Sequence, residues 1–312
     1  MAVRRVDSTD VLCGVVVLAV VARLMLPGFW DVPSVQAWTT VFAAVCVQAS
    51  PYVVLGVALS VMVAALPSEW WRRVLPRRTA LAVPVAGLAG SAVPGCECGS
   101  VPLACSLMRR GVPTGPALAI LLSAPATNPV VIAATAAAFP GQPRVVLARF
   151  CGSFALALAV GWLWPARASP NVRTYSHGDR TLGVLAGTAA HDLAQSLGLL
   201  AIGAASAATL GVLMPRSVLG ALAGTDAGAV LSLAVLAVLL AVCSEADAFI
   251  ASSLTQFSRT AQLAFMIVGP AADVKLLAME AGAFGARFTA RLAVLTFALA
   301  VAAATLVGTI VL

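Results

Sequence analysis

Two cysteines flank a glutamate at Cys96-Glu97-Cys98, in a stretch whose neighbours are mostly apolar. Thiolates are soft ligands that select soft metals and metalloids, and a Cys-x-Cys spacing lets two sulfurs reach one centre. Gly99 and Ser100 follow, and Pro94 and Pro102 bracket the run. These residue types predict a backbone unwound between Pro94 and Pro102, broken also at Gly99. Cys96, Glu97, Cys98 and Ser100 would then line a solute site. The plainer alternative is that both thiols pack as small hydrophobes.

Three further clusters carry polar chemistry. In Ser123-Ala-Pro-Ala-Thr-Asn-Pro129, Pro125 and Pro129 free backbone carbonyls, and Thr127 and Asn128 supply neutral ligands beside them. Otherwise the segment is a proline kink with Asn128 satisfied by a neighbouring helix. In Cys243-Ser-Glu-Ala-Asp247, two carboxylates stand two residues apart between apolar runs. One Asp at the centre of a span costs about 2.5–3.5 kcal/mol to insert. Glu245 and Asp247 are therefore expected to couple to protons or ions, unless a solvated loop holds them. In Gly269-Pro-Ala-Ala-Asp-Val-Lys275, Pro270 breaks the helix and Asp273 and Lys275 join the ion-coupling set, with Glu280 further on. Residues two apart do not face each other on a helix. Lys275, the sole lysine, is accordingly expected to pair with Glu97, Glu245 or Asp247, unless it snorkels.

The elements that must position these groups are membrane spans. The chain has 312 residues, 61% hydrophobic and 10% charged, with a mean hydropathy of +1.00. Soluble domains carry about 25% charged residues, so this composition is that of an integral membrane protein. The basic excess, 19 Lys and Arg against 12 acidic residues, lies largely in short loops between apolar runs, as the positive-inside rule requires. No nucleic-acid partner is expected. Nucleophile, phosphate-loop and zinc-protease motifs are missing, so neither enzymatic activity nor a cofactor is expected. The one metal-like site considered is a soft metalloid at Cys96 and Cys98. His177 and His191 are not read as ligands, and Cys13, Cys46 and Cys151 are read as packing residues.

Apolar runs fall at 11–29, 36–66, 79–95, 99–108, 113–139, 143–164, 184–213, 228–243, 246–257, 260–284 and 288–312. A span needs about 20 apolar residues, so 79–108 and 228–257 read as re-entrant pairs of half-helices. With the N-terminus inside, that reading puts thirteen of sixteen loop arginines on the cytoplasmic side, against ten if both pairs cross. It places 67–78, 109–112 and 165–183 inside. Trp30 and Trp38 mark the outer interface, and Trp70, Trp71, Trp162 and Trp164 the inner one. Gly95–Leu107 aligns with Val242–Leu254, matching Cys96 with Cys243, and Pro125–Asn128 aligns with Pro270–Asp273. Polar breaks at corresponding places in two halves are the sequence signature of a transporter site. The expected organisation is an N-terminal helix (1–35), a first repeat (36–164), a cytoplasmic linker (165–183) and a second, inverted repeat (184–312). The fold class is all-α and polytopic.

Together the Cys96–Pro102 run, the Ala124–Pro129 run and the later Asp247–Ala251 and Gly269–Leu277 runs resemble the predicted-permease family that includes the organoarsenical efflux permeases. The resemblance covers roughly 36–312. It implies a two-repeat permease of the inner membrane, some members of which export trivalent organoarsenicals. The family's motif positions here are Cys96, Cys98, Pro102, Pro125, Asn128, Pro129, Asp247, Pro270, Asp273 and Lys275. The functional expectation is a proton-coupled exporter of a small soft or thiol-reactive solute in the cell membrane. The alternatives are a channel with re-entrant filter helices and a membrane dithiol redox protein.

Overall fold

The structure, a computed structural model, describes residues 32–65, 75–76, 78–93, 95–165, 170, 182–213 and 226–312. The expected first helix, Trp30, Trp70, Trp71, Pro94 and most of the 165–183 linker lie outside the described residues. Every regular element described is helical. In order they are α1 (Pro33–Ala65), α2 (Thr79–Ser91), α3 (Glu97–Arg109), α4 (Thr114–Thr127), α5 (Pro129–Ala138) and α6 (Pro143–Leu163). The order continues with α7 (Leu182–Leu213), α8 (Asp226–Leu240), α9 (Asp247–Ser253), α10 (Arg259–Ala272), α11 (Val274–Phe284) and α12 (Ala286–Val311). One pattern therefore occurs twice: a long helix, two short ones, a helix broken once, and a final long helix.

Length explains the pattern. Among the described residues, five stretches are long and apolar enough to cross a membrane, including the broken pairs Thr114–Ala138 and Arg259–Phe284. At 1.5 Å per residue, the 13 residues of α2 or α3 rise only about 20 Å, short of a ~30 Å hydrocarbon core. The 15 residues of α8 and 7 of α9 fall short too.

Contacts between helix ends decide how these short helices run. Trp38, near the start of α1, donates its indole N–H to Thr209 near the end of α7 (2.9 Å). Arg109, closing α3, pairs with Asp192 in the first third of α7 (3.1 Å). Trp162 at the end of α6 reaches the Ala80 carbonyl at the start of α2 (3.4 Å). Trp164 packs on Phe288 at the start of α12 (4.7 Å between ring centres). Arg259, opening α10, stacks over Phe139 at the end of α5 (5.5 Å). With the longer helices crossing, all five contacts join residues on one membrane face only if α2–α3 and α8–α9 both turn back. With α7 counted as a crossing beside those five, each half crosses three times, so the second enters from the opposite face.

The halves meet like against like: α1 packs on α7, and α6 on α12. Small residues permit the tight crossings. A Cβ at Gly99 in α3 would stand 2.6 Å from the Tyr52 carbonyl of α1, and one at Gly56 would collide with the Gly99 backbone. Outward faces carry exposed Val47, Val294, Leu306 and Ile310, the surface a bilayer solvates.

Two sequence expectations need correction. Glu97–Arg109 is one continuous helix, with Gly99 and Pro102 inside it, so neither is a break. Pro102 costs the ladder one backbone bond without ending it, and Gly99 is needed for close approach to α1. Pro125 and Pro270 likewise lie in the last turns of α4 and α10. The chain departs from the helix three residues later, at Asn128 (ψ 158°) and Asp273 (ψ 160°). Pro129 follows Asn128 at the first position of α5, where its fixed φ suits a helix start.

Candidate transport site

The breaks in the two spans have the same construction. Asn128 caps α5, its side-chain oxygen accepting from the Val131 N–H (2.9 Å), and Asp273 caps α11 by accepting from the Leu276 N–H (2.5 Å). The Asn128 amide also donates to the carbonyls of Ala124 (2.8 Å) and Gly95 (3.0 Å), fastening the tip of the first hairpin. Asp273 cannot donate when ionised, and in the second half Lys275 takes over, its ammonium lying 3.4 Å from the Ala241 carbonyl. Ala241 has φ +46°, a left-handed conformation that strains a residue with a Cβ.

The two hairpin tips then meet in the interior. The Cys96 thiol lies within electrostatic reach of those of Cys243 and Cys98. Ser244 donates to one oxygen of Glu97 (3.4 Å), and Lys275 grips the other (2.5 Å). Lys275 also lies 3.4 Å from Asp273 and 3.9 Å from the Cys243 sulfur. Glu97, Cys96, Cys98, Asp273 and Lys275 are all fully buried. Of the three partners expected for Lys275, Glu97 is the one paired. The exclusion of Asp273 was wrong: it rested on helical geometry, but Asp273 is an extended cap whose carboxylate can turn toward the second residue of its own helix.

Glu245 and Asp247 part company. Asp247 is held by Arg149 of α6 (2.8 Å), which also bonds the Ser244 carbonyl (2.9 Å) and the Thr135 hydroxyl (2.8 Å). Glu245 stands beside Tyr52, and neither of its carboxyl oxygens has a hydrogen-bond partner among the described residues. Thr127 bonds the Ser123 carbonyl and the Ser91 hydroxyl (both 2.7 Å), closing a local turn and tying α4 to α2, and Ser100 bonds the Glu97 carbonyl (2.9 Å) within α3.

Arg149 and Cys243 were absent from the sequence-derived site. Each had a visible signal: a lone arginine in mid-span, and a cysteine aligned with Cys96. Among the described residues no group of three or more His, Cys, Asp or Glu side chains is placed to hold a metal ion. The cavity that Cys96 lines with Tyr52 and Ser100 measures about 10 Å³, room for roughly one water.

Twofold-related half-spans whose tips carry buried charge define a polytopic membrane protein of the transporter type. The family model described as "Predicted permease" matches residues 34–309. The chain belongs to that family. It is 33% identical to the "UPF0718 protein YcgR" of Bacillus subtilis, over 80% of this chain and 89% of the relative. It is 30% identical to a Streptococcus mutans protein named "Putative two-component membrane permease complex subunit", over 82% of this chain and 89% of that one. No solved structure matches.

Proposed function

We propose that this permease is a secondary carrier that exports a small, soft, thiol-reactive solute across the cell membrane in exchange for protons, with its N-terminus cytoplasmic. The observation that carries the reading is the charge of the buried centre. Two cations, Lys275 and Arg149, face four carboxylates, Glu97, Asp273, Asp247 and Glu245. Uncompensated charge in the interior is costly. Neutralising these four carboxylates needs two protons or a bound divalent cation, and buried Glu280 beside Asp273 adds a further carboxyl, so proton occupancy is a natural coupling variable.

Soft thiols at Cys96 and Cys98, beside this charge, support binding of a trivalent organoarsenical or a related metalloid. Asn128 caps the break in the first span, Thr127 ties α4 to α2, and Ser100 closes the first turn of α3. The small cavity beside Cys96 supports a carrier that must rearrange to admit solute, rather than a standing pore.

Everted vesicles with an imposed pH gradient test the reading, with phenylarsine oxide as the probe. Saturable accumulation that collapses with an uncoupler is expected. Asp247→Asn and Asp273→Asn should reduce accumulation more than equilibrium exchange. Flux that is non-saturable and indifferent to the uncoupler would favour the channel. Growth of a metalloid-sensitive strain on trivalent methylated, aromatic and inorganic arsenic or antimony would rank the substrates.

A further inference from the structure

The Cys-x-Cys pair lies within one half of the molecule, but the geometry points to a different ligating pair. We propose that Cys96 and Cys243, one thiol from each half, together bind the soft solute, so that its capture bridges the two hairpin tips. This rests on the soft-solute reading above and names the sulfurs that serve it.

Contacts between the two hairpin tips bring these thiols close. The two thiols lie within electrostatic reach of each other. The next residue of each tip also touches its counterpart, Ser244 to Glu97 at 3.4 Å. Lys275 spans the same junction, reaching Glu97 on one side and the Cys243 sulfur, 3.9 Å away, on the other. Tyr52 stands within electrostatic reach of both Cys96 and Cys243 and walls the small cavity that Cys96 lines.

Both sulfurs are buried and free. The Lys275 ammonium is placed to balance thiolate charge when a proton leaves. A trivalent arsenoxide would condense with the two thiols, forming two As–S bonds while its oxygen departs as water with the two thiol protons. Equivalent positions of two repeats touch only at the axis relating them. A solute bound there is shared equally by both halves, which suits a carrier whose halves rock about a central site.

The test uses the full chain with a protease site inserted in the 165–183 linker, reconstituted in nanodiscs. Diamide, itself reduced, oxidises neighbouring thiols to a disulfide. After linker cleavage the two halves should stay joined on a non-reducing gel and separate with reductant. The link should persist in Cys98→Ser and be lost in Cys96→Ser and Cys243→Ser. Phenylarsine oxide added before diamide should prevent it, including in Cys98→Ser.

Halves that separate after oxidation of the unmutated chain would overturn the proposal. So would a link that phenylarsine oxide fails to block while the same compound is transported in vesicles, and the soft-solute reading would then survive. If phenylarsine oxide is neither transported nor protective, that reading falls and this pair with it.

Discussion

Lys275 of the second half holds Glu97 of the first at 2.5 Å, with both side chains out of reach of solvent. The pair joins α11 to α3 across 178 residues of sequence. A buried pair is worth less than the cost of breaking it, because removing one partner strands the other. Lys275→Ala and Glu97→Gln should each lower stability by about 3–5 kcal/mol or the equivalent folded yield. The double variant should lose less than the two singles combined. Thermal unfolding in detergent across a double-mutant cycle checks this, and additive losses would refute the coupling.

Arg149 ties three groups from two halves: Asp247, the Ser244 carbonyl and Thr135. Its guanidinium reaches them through two nitrogens, which a lysine point charge cannot reproduce. Arg149→Lys should therefore remain well below the unmutated protein in thermal stability, and Arg149→Met should lose about 3–5 kcal/mol. Adding Asp247→Leu to Arg149→Met should recover part of that loss by removing the stranded carboxylate.

Gly99 and Gly95 lie four residues apart in the first hairpin but answer to different constraints. A Cβ at Gly99 would meet the Tyr52 carbonyl at 2.6 Å, whereas one at Gly95 meets nothing within 4 Å. Gly99→Ala should push α3 off α1 at a cost of about 1–3 kcal/mol, and Gly95→Ala should be nearly silent. Folded yield by size-exclusion in detergent separates the two.

Re-entry of α2–α3 places exposed Gly111 and Gly187 on one membrane face and exposed Gly141 on the other. Single cysteines at 111 and 187, on a cysteine-free background, should react with an impermeant maleimide from the same side. A cysteine at 141 should react from the opposite side. Labelling of 111 and 141 from one side would require the hairpin to cross.

The sequence by itself determined the class. Apolar runs of span length and two pairs of runs too short to cross imply an all-α polytopic membrane protein, and the motif runs around Cys96, Asn128 and Asp273 carry the resemblance to the permease family. The physical causes, hydrocarbon thickness and the cost of moving charge through it, act on local composition. The polar breaks around Asn128 and Asp273 were legible for the same reason. Prolines and carboxylates in an apolar run are local anomalies.

Only the tertiary structure decided which groups meet. That Cys96 lies near Cys243, that Arg149 rather than Lys275 takes Asp247, and that Glu245 has no hydrogen-bond partner among the described residues depend on helices packed from opposite halves. Helical periodicity tells which residues share a face, and is silent on what covers that face from a hundred residues away. Gly99 and Pro102 make the same point in reverse. Both read as helix breakers from their local chemistry, yet both lie inside α3. There the tight fit against Tyr52 and Gly56 of α1 makes a glycine necessary at 99, and the helix absorbs the one backbone bond that Pro102 removes.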